Sequence, residues 1–141
     1  MKRYQDYATL LLRIAMAIGF LSAVLSRLGF LGKQSSGWEN FLAYAEEVNS
    51  FLPKSLIPSI AIFSTFLESL FAVLFLVGYQ TRKTAIGASI LTFLFALAMT
   101  YSFGIKEPLD YSDFVFSMGA FLLSTADKYR WSLDEYLLKI N

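Results

Sequence analysis

Between Leu56 and Gly78 the chain reads LIPSIAIFSTFLESLFAVLFLVG, a stretch in which Glu68 is the one charged residue. At about 1.5 Å per residue it is long enough, as a helix, to cross the roughly 30 Å hydrocarbon core of a bilayer. Tyr7 to Leu31 and Thr84 to Gly104 are similar runs, and residues 111–127 form a shorter fourth. The chain is 56% apolar and 16% charged, against roughly 25% charged in soluble domains. A soluble bundle of such helices would have to hide nearly every face of each, and 141 residues supply too little polar surface for that. The sequence therefore predicts an all-α, polytopic membrane protein. It is a four-helix bundle with spans at about 7–31, 56–78, 84–104 and 111–127, forming one domain over the whole chain.

Four spans return both termini to one side. Lys2 and Arg3 precede the first span, Arg82 and Lys83 fill the second link, and Lys128, Arg130 and Lys139 follow the fourth. The other side holds Lys33, Lys54 and Lys106, diluted by Glu39, Glu46, Glu47, Glu107 and Asp110. By the positive-inside rule both termini face the cytoplasm. The first span follows basic residues as a signal peptide does, but Arg13 interrupts it and it exceeds the length of a signal-peptide apolar core, so a retained anchor is expected.

The connections carry their own signals. From Gly32 to Pro53, Trp38, Phe41, Leu42, Ala45, Val48 and Leu52 recur at helical spacing with glutamates opposite. This predicts an amphipathic helix on the outer surface, opened by Ser36 or Gly37 and closed over Asn49–Pro53. The Tyr79–Lys83 link is so short that spans two and three must be antiparallel neighbours, with Gly78 suited to the helix exit. Ser132 and Glu135 stand at capping-box spacing ahead of a short cytoplasmic C-terminal helix. In span one, Ala15, Gly19 and Ala23 recur every four residues, with Ser22 and Ser26 alongside, a helix-packing signal in lipid.

Several function classes drop out. A net charge of +1, without a basic stripe interleaved with aromatics, gives no footprint for nucleic acid. The chain has no Cys and no His, which removes dithiol redox chemistry, Cys-ligated clusters and the commonest metal and haem ligand. No metal site and no catalytic residue is expected, and no tightly held cofactor.

What remains are the charges inside the spans. An ionised group at mid-bilayer costs about 3 kcal/mol on insertion scales, so it needs a partner or a wet cavity. With each span aligned to the bilayer, Glu68 lies about 18 Å in from the outer end of its helix and Arg13 about 8 Å from the cytoplasmic end, heights roughly 7 Å apart. Arg27 falls level with the start of the fourth span. Two pairs are predicted: Arg13 with Glu68, and Arg27 with Asp113 or Asp110. Arg13, Glu68 and Tyr101 are the candidate ligand-binding residues, with Tyr111 and the phenylalanines lining any cavity.

Taken in order, Leu12-Arg13-Ile14-Ala15, Gly19-Phe20-Leu21, Ser26-Arg27-Leu28, Glu68, Gly78-Tyr79-Gln80-Thr81-Arg82 and Trp131-Ser132-Leu133-Asp134 resemble the DoxX family over essentially the whole chain. The resemblance implies a four-helix bacterial or archaeal inner-membrane protein, related to the small membrane subunits of thiosulfate:quinone oxidoreductase and to membrane partners of redox-protective enzymes. The chain has Arg27 where many relatives have Lys, and it lacks the membrane His that several carry, which removes a proton relay through imidazole.

Two expectations follow. In the first, the chain is an accessory subunit of a quinone-linked redox system. Arg13 donates to a quinone carbonyl, Glu68 shuttles a proton, and electron transfer is left to a protein partner. In the second, it is a scaffold or lipid-handling protein whose buried charges only set helix packing. The lipid bilayer is a partner in both, and a homo-oligomer is compatible with either.

Overall fold

The structure is a computed structural model that describes residues 2–140. It is all-α, with no strand among the described residues. The helices are α1 (Lys2–Arg27), α2 (Trp38–Val48), α3 (Ile57–Val77), α4 (Thr81–Phe103), α5 (Lys106–Asp110), α6 (Asp113–Ser124) and α7 (Leu133–Ile140). Three are long and apolar enough to cross a membrane: α1, α3 with the short turn before it, and α4.

Their burial is inverted relative to a water-soluble bundle. On α3 the buried positions include Ala61, Ser64, Thr65, Glu68 and Ala72, while Ile62, Phe63, Phe66, Val73 and Leu76 point outward. On α4, Thr84, Ala85, Ala88, Ser89, Thr92 and Ala96 are buried, and Ile86, Ile90, Phe93, Leu94 and Leu97 are exposed. Small and polar residues inside with large apolar ones outside is the arrangement lipid selects, because it rewards close backbone approach and does not penalise exposed Leu or Phe.

Helix ends depart from the sequence expectation where local backbone chemistry intervenes. The first span stops at Arg27, four residues before the expected Leu31. Gly29, in the left-handed region at φ +82°, closes it in a Schellman motif, with Gly29 N–H donating to Ser26 O and Phe30 N–H to Leu25 O. Gly78 closes α3 as expected, at φ +71° and with its N–H on Leu74 O. The fourth run is the largest difference. Ser112, at φ +62°, precedes the first residue of α6, and the turn through Thr125 and Ala126 ends it, leaving a 12-residue helix. At about 18 Å this is shorter than a hydrocarbon core.

Helices α1 and α3 form one antiparallel pair and α4 and α6 another, and the pairs meet through α3 with α4 and α1 with α6. Ser117 Oγ donates to Ser89 O at 2.8 Å across the second pair. The core joins Met16, Ala17, Phe20, Ala72, Phe75, Ala85, Ala88, Ala120 and Leu123, all towards the end where α3 turns into α4. Towards the other end the pairs diverge, and α2, packed on α3 and α4, lies across the gap. Gly37 opens α2 and Asn49 ends it, as expected.

Candidate functional site: a side-open apolar cavity with a buried ion pair

The antiparallel register of α1 and α3 decides which charges meet. The guanidinium of Arg13 lies beside Gly78, the rings of Phe20 and Phe71 are 6.1 Å apart, and Arg27 reaches Thr65. Arg27 is thus about one turn from Glu68, whereas Arg13 is nearly three turns away. Side-chain direction reinforces this. Helical side chains lean towards the N-terminus of their helix, so on antiparallel helices Arg27 leans inward and Glu68 leans towards it, while Arg13 leans away.

The observed pair is accordingly Arg27 with Glu68, not Arg13 with Glu68. Arg27 Nη1 donates to Glu68 Oε1 at 2.8 Å and to Thr65 Oγ1 at 3.3 Å. The guanidinium also lies 4.0 Å from the centroid of the Phe41 ring on α2. Glu68 is 2% exposed. The expected alignment failed because α1 does not end level with α3: its first turns overhang and pack on the C-terminal segment, shifting the register by about six residues, or roughly 9 Å.

The expected pairs of Arg27 with Asp113 or Asp110 do not form. Asp110 is exposed and pairs with Lys106 on its own short helix. Asp113, in the first turn of α6, has Oδ2 buried without a hydrogen-bond partner.

Arg13, 3% exposed, serves a different structure. Its Nη2 donates to Trp131 O at 2.8 Å. Around it the C-terminal segment is clamped to both helix pairs. Asp134 accepts from the Gln80 and Thr81 N–H groups at 2.7 and 2.8 Å, capping the start of α4 from a distant part of the chain, and Asp134 N–H donates to Gly78 O. Tyr7 stacks on Trp131 with ring centroids 5.3 Å apart. Ser132 Oγ accepts from Glu135 N–H, as the capping box requires, while Glu135 Oε2 accepts from Trp131 N–H. That backbone bond, with help from Lys139 and Arg130, holds the Glu135 carboxyl below its ordinary range.

Beneath α2, where the helix pairs diverge, is a cavity of about 1630 Å³, larger than the roughly 300–1,000 Å³ of ordinary small-molecule pockets. Its walls are almost wholly apolar. One side is formed by Ala15, Gly19, Val115, Phe116 and Gly119 along the seam of α1 and α6, and another by Ile60, Phe63, Leu91, Leu94 and Phe95 between α3 and α4. Phe63, Leu94 and Val115 are also exposed outward, so the cavity opens sideways through both seams. Ala15 and Gly19 are exposed. The small-residue line is thus a packing face at Gly19, where the Phe116 ring of α6 closes so tightly that a Cβ would crowd it, and a wall of the cleft at Ala15 and Ala23; the more extensive partner of α1 is α3.

Polar groups gather at the α2 side of the cavity: Arg27, Glu68, Asp113, Tyr44 and Tyr111. Tyr101 lines the mouth but is 73% exposed and edge-on to Phe51 at 5.1 Å. The Tyr44 phenol is pushed up to about 12, first by burial and then by Tyr111, Glu107, Asp113 and Glu47 around it. Phe41 was legible only as part of the apolar face of an amphipathic helix and Tyr44 was not singled out at all, since nothing local in sequence shows that this helix roofs a cavity. Among the described residues no group of three or more His, Cys, Asp or Glu is placed to hold a metal.

No protein-family model, curated protein or solved structure matches the chain.

Proposed function

We propose that the protein is a non-catalytic, multi-pass membrane protein whose cavity binds an amphiphile drawn sideways from the bilayer, acting as an accessory subunit of a quinone-linked redox system of the DoxX kind. In this reading α1, α3, α4 and α6 form a four-helix bundle in a bacterial inner membrane. The basic end with both termini lies in the cytoplasm, and α2 lies at the outer surface. With α6 about 18 Å long, the fourth crossing requires its exit turn and a locally thin bilayer.

The observation that carries the proposal is the juxtaposition of a laterally open apolar cavity with a buried, hydrogen-bonded Arg27–Glu68 pair at one side of it. A quinone fits as the first amphiphile to test, because its ring and tail suit apolar walls and Arg27 retains N–H groups beyond Nη1 for a carbonyl. Arg27 thereby takes the donor role expected of Arg13. No redox group is held by the chain's own residues, so electron transfer would belong to a partner protein.

Glu68→Gln tests the site. Binding of a short-chain quinone to the purified protein should weaken about tenfold, because Arg27 loses the carboxylate that fixes its guanidinium at the cavity wall. The competing scaffold reading draws on the same ion pair as a register lock. It predicts a lower melting temperature in Glu68→Gln with amphiphile affinity unchanged, and that result would refute the binding proposal.

A further inference from the structure

We propose that the polar side of the cavity selects amphiphiles whose head group donates hydrogen bonds, a hydroxyl or a protonated amine, over heads that only accept or that carry negative charge. The inference rests on the amphiphile-binding reading above and adds the chemistry of the head group.

Two carboxylates, Glu68 and Asp113, line the cavity against one cation, Arg27. That cation is already committed to Glu68 Oε1 and Thr65 Oγ1, and Glu68 is engaged through Oε1 alone. Asp113 Oδ2 is buried with no donor. This corner therefore sets two carboxylates against one guanidinium, a surplus of negative charge, and Asp113 is the carboxylate left without a cation or a donor. An acceptor without a donor is costly away from bulk water, and more so beside apolar walls.

A bound head group that brings an O–H or an N–H⁺ to the cavity face of Asp113 offsets that surplus charge. A carbonyl or carboxylate placed there sets one acceptor against another. The rings of Tyr44 and Tyr111 supply flat faces that suit a phenolic ring or a cation. The tail then lies against the apolar wall that Ala15, Ala23, Val115 and Phe116 form along the seam of α1 and α6.

The test uses the full-length protein in phosphatidylcholine nanodiscs, with calorimetric titration against empty-nanodisc blanks. Two matched pairs serve as probes: a decyl-substituted benzoquinone with its quinol, and dodecanoate with dodecylamine. The quinol and the amine should bind at least tenfold tighter than their partners, and Asp113→Asn should reduce each preference to within twofold. Asp110→Asn, whose carboxylate pairs with Lys106 outside the cavity, should leave both preferences intact.

Equal affinities within each pair, or a preference for the accepting or anionic member, would overturn the head-group inference while leaving amphiphile binding in place. Failure of all four probes to bind would overturn both. A preference undiminished in Asp113→Asn would remove Asp113 from the site. Should that variant not insert, the wild-type comparison decides the inference unaided.

Discussion

Arg13 and Arg27 show how one residue type on one helix acquires two unrelated roles. Both are buried or nearly so, but Arg27 neutralises a carboxylate inside the bundle and Arg13 holds a backbone carbonyl of the C-terminal segment. Arg27→Met should leave Glu68 buried and unpaired, costing about 3–5 kcal/mol and sharply lowering the melting temperature in detergent. Replacing Glu68 by Gln in the same chain should recover much of the loss. Arg13→Met deletes a hydrogen bond to an uncharged partner and should cost about 1.5–3 kcal/mol, with Trp131 fluorescence shifting to the red as the tail loosens. Equal losses in the two variants would contradict the pairing described here.

Among the elements, the link between the C-terminal segment and α4 matters most. The first N–H groups of a helix lack intrahelical partners, and Asp134 supplies them from more than fifty residues away. Asp134→Ala should cost about 0.5–2 kcal/mol, as for other lost caps, and proteolysis should become faster near Arg130 while the long helices stay protected. Glu135 gives the same docking a pH dependence. Its folded pKa is depressed, so its contribution is present above the ordinary value of 4.5 and is lost as pH falls through the lower folded value. Amide exchange at Trp131, which donates to Glu135, should therefore accelerate in acid beyond the intrinsic pH effect, and Glu135→Gln should abolish that acceleration.

The whole molecule is polarised. Its basic residues concentrate at the end formed by α7, the start of α1 and the α3–α4 turn, and acidic residues dominate around α2 and α5. Because the chain has no cysteine, single introduced thiols report topology cleanly. In intact cells a membrane-impermeant maleimide should label Lys54→Cys and leave Lys83→Cys unlabelled until the membrane is broken. Labelling of both from outside would contradict the proposed orientation.

Runs of Leu, Ile, Phe and Val long enough to span hydrocarbon determined, by themselves, that the chain is helical and suited to a membrane. Those features are local, depending only on helical rise and side-chain transfer energy. The α2 helix, the Gly78 exit and the Ser132–Glu135 cap were legible for the same reason, since each is written within a few consecutive residues. The partner of Glu68 was not. It depended on a register between α1 and α3 that moves by roughly 9 Å when the first turns of α1 overhang, and that overhang is set by the docking of residues 129–135, remote in sequence. The cavity was hidden likewise: small residues at a four-residue spacing read as a contact, which Gly19 does make with Phe116, and only the divergence of the two helix pairs left Ala15 and Ala23 lining a gap beside it.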